Sequence, residues 1–355
     1  MTNKYILVIN PGSTSTKIAV FQEDQVLHEE TLRHSSEELA SFSTIFEQFD
    51  FRRKMIEAAI EKAGLKLQDL DAVVGRGGLL KPITSGTYRV NDAMLNDLKV
   101  GVLGQHASNL GGVLAYEIAE PMGKPSFIVD PVVVDEMEPL ARYTGIPGVQ
   151  RRSVFHALNQ KAIARLAAKQ LNQPYEAVNL IVVHLGGGIT IGAHTEGRVV
   201  DVTNGLDGEG PMTPERSGAL PAREVMNLTE VVGPKALQKQ IAGKGGLVAH
   251  LGTNDVREVV EKIDKGDKRA EEVLKAMAYQ VSKSVGAMAT VLEGKVDGVV
   301  ITGGIAYNDR FVSWIEKRTK FIAPIFVFPG EDELKALADG ALRVLHHMEE
   351  AKTYE

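Results

Sequence analysis

The sequence predicts an α/β protein of two related domains with a cleft between them, and three observations predict it. At 355 residues the chain is longer than one ordinary core requires. Short apolar runs bounded by turn formers alternate along it with stretches of helical periodicity. Two segments about half a chain apart also read alike. Residues 6–22 are strand, Asn-Pro-Gly turn and hydroxyl-rich strand, and residues 180–196 are strand, His-Leu-Gly-Gly-Gly turn and second strand. Overlaying Asn10 on His184 sets the two 174 residues apart, as a duplicated domain opening on a glycine-turned hairpin requires.

The elements follow in order. Residues 1–4 run directly into a strand at 5–9, with no apolar signal core and small-residue cleavage site before it. Further strands are expected at 72–74, 126–129 and 298–302, where β-branched and apolar residues cluster. Helices are expected at 51–63, 105–120, 153–170, 270–292 and 331–350, from apolar residues recurring three and four apart. The polar, glycine-rich stretch 143–150 is the expected hinge, so the domains are taken as 1–148 and 149–330. The last helix follows the Pro329-Gly330 turn, and 331–355 is a candidate to complete the first domain.

Composition excludes several classes of function. With 44% hydrophobic and 24% charged residues the chain is neither disordered nor low in complexity. A net charge of -6 argues against a phosphate-backbone binder, so no nucleic-acid partner is expected. No apolar run is long enough to cross a membrane. Cysteine is absent, which removes disulfides, thiolate metal sites and thiol catalysis, and fits a cytoplasmic protein.

Three glycine turns carry the chemistry. In the run from Asn10 to Lys17 a tight turn between strands offers Ser13, Ser15, Lys17 and backbone donors to a phosphate chain. It is not a P-loop, because the residues after it alternate as a strand and the second glycine is missing. In the second turn, after His184, Gly186, Gly187 and Gly188 let backbone approach anionic oxygens closely. The third turn, Gly303-Gly304 with Asn308 beyond it, ends an apolar strand and leads toward a helix, the geometry of a nucleotide-binding turn.

These motifs, in this order, resemble the acetate kinase and butyrate kinase family, within the superfamily of sugar kinases, actin and chaperone ATPases. The residues are the first hairpin, Gly75-Arg76-Gly77-Gly78, Gly104-Gln105-His106, Asp130, Arg151 through His156, the His184 turn, Thr213 through Gly218, and Thr302 through Asn308. The run from Phe155 to Gln160 and the shorter chain resemble the butyrate kinase branch. The resemblance implies two duplicated ribonuclease H-like (actin-like ATPase) domains and reversible phosphoryl transfer between ATP and a short-chain carboxylate, giving ADP and an acyl phosphate. It also implies a Mg2+ requirement and a homo-oligomer, a dimer or larger.

Site roles follow from the same resemblance. Arg76 and Arg216 orient the carboxylate and the transferring group, with planar forks suited to both. His156 steadies the equatorial phosphoryl oxygens. His106 lies on the substrate side and His184 on the phosphate side. Asp130 and Glu333 are the carboxylates for magnesium, and Asn10 orients a metal-bound water or phosphate. Two departures from acetate kinases stand out: Gly187 replaces an Asn inside the second turn, and Gly-Gly-Leu-Leu follows Arg76 in place of a longer His-containing run. Both weaken the case for acetate as substrate. Two rival readings are a sugar kinase on the same fold, which needs a general base, and a non-enzymatic ATP-driven binder.

Overall fold

The computed structural model describes residues 3–355, so residues 1 and 2 of the leading stretch lie outside it. The chain forms two compact units, Met1–Val134 with Asp332–Glu355, and Asp135–Glu331.

The first unit is built on a six-stranded sheet of β1 (Tyr5–Pro11), β2 (Ser15–Gln22), β3 (Gln25–Arg33), β4 (Ala72–Arg76), β5 (Thr87–Arg89) and β6 (Ser126–Val129). Its order is β3-β2-β1-β4-β6-β5. The first three strands form an antiparallel meander, β4 and β6 continue it in parallel, and β5 closes the edge antiparallel. Parallel strands need crossovers, and the helices Phe49–Lys62 and Asn109–Ala119 supply them. Ile56 and Ile60 of one, and Leu110, Leu114 and Ile118 of the other, bury against Leu7, Ile9, Ile18 and Val20 of the sheet. The final helix, Glu333–Leu345, buries Leu334, Leu337, Ala338 and Ala341 within this unit, and its Gly340 lies against Val129.

The second unit repeats the plan with β7 (Leu180–Leu185), β8 (Ile189–Thr195), β9 (Arg198–Val202), β10 (Gly298–Gly303) and β11 (Ile325–Pro329), in the order β11-β10-β7-β8-β9. Again a three-stranded antiparallel meander is extended by parallel strands. One face packs on the helix Lys268–Val291 through Val273, Met277, Val281 and Val285, and the other packs on Ala164, Ala167 and Ala168 of the helix Ala157–Gln170. The two sheets are therefore duplicated ribonuclease H-like domains of the actin-like class. Pro11 and Leu185 end the corresponding first strands 174 residues apart. The pairs Pro11–Thr16 and Leu185–Ile189 close the two turns, so the second is one residue shorter.

Several boundaries differ from the sequence expectation. The helix expected from 105 begins at Asn109, because 101–108 winds as turns in which Gly101 and Gly104 take positive φ of 70° and 125°. The helix expected from 153 begins at Ala157, behind His156. The stretch 143–150 does not mark the boundary between the two units, which falls between Val134 and Asp135. It lies inside the second unit, where Tyr143 and Gln150 pair as an antiparallel bridge. Residues 135–148, assigned from sequence to the first domain, also pack in the second unit, where Glu136 accepts from the buried Lys161 at 2.6 Å. The helices Asp92–Val100 and Ala222–Val232 were not anticipated.

Candidate active site

In the first unit the candidate residues stand where parallel strands end, the position at which α/β sheets present ligands. In the β1–β4 ladder Ile9 is opposite Gly75, and in β4–β6 Arg76 is opposite Val129, so Asn10, Arg76 and Asp130 top three adjacent strands. Arg76 can sit there because backbone meets backbone behind it: a Cβ on Gly75 would fall 2.0 Å from Gly111 O, and one on Gly111 2.2 Å from Arg76 O.

Arg76 donates to Glu333 Oε2 at 2.6 Å, and the buried Asn10 donates its Nδ2–H to the same oxygen at 2.7 Å. Asp130 takes a positive φ of 38°, unusual for a residue with a side chain, and its Oδ1 accepts from Ser85 Oγ at 2.6 Å and Gly86 N–H at 2.8 Å. His106 Nδ1 accepts from the Ser108 N–H at 3.2 Å, which puts the ring proton on Nε2. Burial, and then the Arg76 charge, push its pKa below the ordinary value.

These donors suit magnesium in one respect and exclude another arrangement. Asn10, Asp130 and Glu333 offer only oxygen ligands, and among the described residues no group of three or more His, Cys, Asp or Glu could cage an ion. Such a set fits a hard cation held by one or two carboxylates, water and phosphates.

The hairpin from Asn10 to Lys17 has a support that the sequence did not reveal. Its Ser13 and Thr14 are exposed, while from below the fully buried Arg52 donates to the carbonyls of Gly12, Ser13 and Ser15 at 2.9, 3.1 and 3.1 Å. Arg52 also donates to Thr16 Oγ1, which is hydrogen-bonded to His34 Nε2 at 2.9 Å. Burial, followed by the Arg52 charge, pushes the His34 pKa down to about 4.

The unfolded chain binds a proton at His34 near pH 6.5, which the folded chain refuses until about pH 4. This contribution to stability is therefore whole above pH 6.5 and is lost as pH falls toward 4. His34→Gln should flatten the fall in unfolding free energy over that window, measured by urea denaturation at stepped pH. Unchanged slopes would refute the assignment.

In the second unit His184 is buried in β7. Its Nδ1 lies 2.7 Å from Asn159 Oδ1 and its Nε2 3.1 Å from Glu331 Oε1. His156 stacks on it, with centroids 3.7 Å apart and planes 10° from parallel. The turn Gly186–Gly188 is tied to the 213–216 loop by Thr213, whose hydroxyl donates to Gly187 O at 2.7 Å. That loop brings Arg216 over the turn, and a Cβ on Gly188 would fall 2.0 Å from Arg216 Nη1. Among the described residues the Arg216 guanidinium has no hydrogen-bond partner, and burial lowers its pKa. A half-buried cation whose guanidinium makes no hydrogen bond among the described residues, beside three glycines, is a ready anion site.

Next to it lies a cavity of about 730 Å³ lined by Gly186, Gly187, Asn254, Gly304, Tyr307 and Asn308, among others. Gly303 ends β10 and Gly304 opens the turn after it, and Asn308 also caps the helix Asp309–Thr319 by accepting from Phe311 N–H at 2.9 Å. Asn254 and Glu331 were not among the site residues read from sequence, and Asn159 was read only as part of the run from Phe155 to Gln160. A polar residue three positions past His156, on the buried face of a helix, is the signal that could have found Asn159.

The two sheets and their topology define an α/β protein with duplicated actin-like domains. The sequence model of the acetokinase family matches residues 141–320, slightly more than half the chain, and the protein belongs to that family. Its fold is similar to acetate kinase from Porphyromonas gingivalis, at 22% identity and TM-score 0.79, over 96% of this chain and 100% of that one. It is also similar to a propionate kinase from Francisella tularensis, at 21% and 0.75, over 95% and 98%. A third similar structure is acetate kinase from Entamoeba histolytica, at 16% and 0.76, over 96% and 99%.

Proposed function

We propose that the protein is a carboxylate kinase of the butyrate kinase type, moving the γ-phosphoryl of ATP reversibly onto butanoate, or a branched short-chain acid, to give butanoyl phosphate and ADP. A carboxylate oxygen attacks phosphorus in line and ADP leaves, so no proton has to be removed from the acceptor.

Arg76 carries the proposal. It is a cation at a strand end, held by Glu333 Oε2 and close enough to His106 to depress its pKa, which suits an acid better than a sugar hydroxyl. A sugar acceptor needs a general base, and Asp130 Oδ1 is already taken up by hydrogen bonds from Ser85 and Gly86.

In this reading Arg76 and His106 orient the carboxylate, and Arg216 and His156 meet the charge of the transferring phosphoryl group. Ser13, Ser15, Lys17, His184 and the turn Gly186–Gly188 hold phosphates. Gly303, Gly304 and Asn308, with their cavity, receive the nucleoside. Glu333, Asp130 and Asn10 would hold magnesium, which when bound would neutralise charge at the phosphate oxygens. We also take the protein to be cytoplasmic and homo-oligomeric; none of its described helices is long and apolar enough to cross a membrane.

Preference for a C4 acid rests on the two departures from acetate kinases. Leu79 follows Arg76 closely, and its Cδ1 lies 3.4 Å from where a Cβ on Gly104 would stand, in the segment leading to His106. Trapping acyl phosphate with hydroxylamine, using MgATP and acids from acetate to pentanoate, tests the choice. At about 0.8 kcal/mol per buried methylene, butanoate should exceed acetate in kcat/KM by roughly 10-fold. A maximum at acetate would keep the chemistry and overturn the chain-length assignment, and ATP consumption with glucose alone would favour the sugar-kinase rival.

A further inference from the structure

Behind His156 runs a buried line of hydrogen bonds whose proton positions can be assigned one after another. Gln160, fully buried, places Nε2 3.1 Å from Thr190 O. A carbonyl only accepts, so that atom is the amide nitrogen, and its second N–H goes to Thr190 Oγ1 at 2.8 Å. Gln160 Oε1 must then accept from His194 Nε2 at 3.0 Å. His194 is completely buried, with its pKa driven well below the ordinary value by burial and then by the Lys161 and Arg165 charges, so it has one ring proton, on Nε2. Its Nδ1 accordingly accepts from the Tyr175 hydroxyl at 2.8 Å.

The line of hydrogen bonds ends at Thr190. Among the described residues its hydroxyl has two partners, Gln160 Nε2, which donates to it, and His156 Nδ1 at 2.9 Å. Its single proton therefore has only His156 Nδ1 to go to.

We infer that Thr190, fixed by Gln160 and His194, is a positioning residue that commits its proton to His156 Nδ1 and so leaves the His156 ring proton on Nε2, as a donor for the transferring phosphoryl group. The last clause rests on the function proposed above.

The test combines 15N-histidine NMR with steady-state kinetics on the full-length protein, His156 being identified by the signals that His156→Gln removes. Wild type and Thr190→Ser should show an unprotonated Nδ1 and a protonated Nε2 at His156, and Thr190→Val should lose that pattern. Thr190→Val should lower kcat by about 10- to 100-fold, the range seen when the outer partner of a functional imidazole is removed. KM for ATP and butanoate should stay within about twofold, because the ground-state contacts are untouched. Thr190→Ser should restore kcat.

If Thr190→Val does not fold, Gln160→Met serves, since it frees the Thr190 hydroxyl and should give a mixture of both His156 tautomers. A His156 proton on Nδ1 in wild type, or an unaltered kcat and tautomer in Thr190→Val, would overturn the inference. Absence of acyl phosphate from the wild type would instead overturn the proposed function, and the NMR result would stand separately.

Discussion

Gly188→Ala should cut kcat by about 100- to 1000-fold, the cost of removing one preorganised donor from a charged transition state, while leaving the protein folded. The new Cβ would lie 2.0 Å from Nη1 of Arg216 and 2.5 Å from Cζ, so the guanidinium has to leave the turn. Leaving is cheap. The clashing atoms are the end of a flexible side chain that is bonded to nothing among the described residues, and Gly188 does not take a positive φ that alanine would resist. A large kinetic effect with a small stability effect separates loss of a catalytic charge from general damage.

The companion is Arg216→Gln, which should lose as much by itself. In a double-mutant cycle the second change should add little to the first, because both remove the same group. If Gly188→Ala keeps wild-type kcat, or if the two losses multiply, Arg216 does not act from this position.

The candidate site was partly legible in the sequence, and the line between what was and was not legible is physical. Both hairpins could be read because apolar strands stop at turn formers, signals that need only neighbours in the chain. Arg76, Asp130, His156 and Arg216 were named because glycines or a strand end stand beside them. The helix starts at 109 and 157 were misplaced because apolar spacing continues through turns that only positive-φ glycines, or the cap at His156, interrupt.

Thr190, Gln160, His194 and Arg52 were passed over for a different reason. Each is a polar residue whose importance depends on partners 30 or more positions away, fixed by register and by which helix face is buried. A glutamine or arginine on a helix looks like a solvated position until the sheet beneath it is known.

Arg52 gives the second large expectation. Arg52→Met should destabilise the first unit by about 3–5 kcal/mol, the cost of stripping one partner from a buried charged network. No carboxylate neutralises Arg52 among the described residues, and burial pushes its pKa down to about 10. Its charge is met instead by the carbonyls of Gly12, Ser13 and Ser15 and by Gln48 Oε1 at 2.8 Å. Methionine fills much of the space but leaves those carbonyls unpaired, at about 1–3 kcal/mol for each that finds no water.

A functional consequence follows from peptide geometry. In a trans peptide the N–H points opposite to the preceding C=O, so carbonyls of Gly12 and Ser13 turned down onto Arg52 turn the N–H groups of Ser13 and Thr14 away from it, toward the exposed side of the hairpin. That is the arrangement of backbone donors an anion seeks. Arg52→Met should therefore raise KM for ATP more than it lowers kcat. Thermal unfolding should shift by about 6–20 °C for a unit of this size. Arg52→Lys, with three donors but no planar fork, should fall between the two. A thermal midpoint for Arg52→Met equal to wild type would mean that the hairpin holds its shape without the buried arginine, and that its outward N–H groups owe nothing to it.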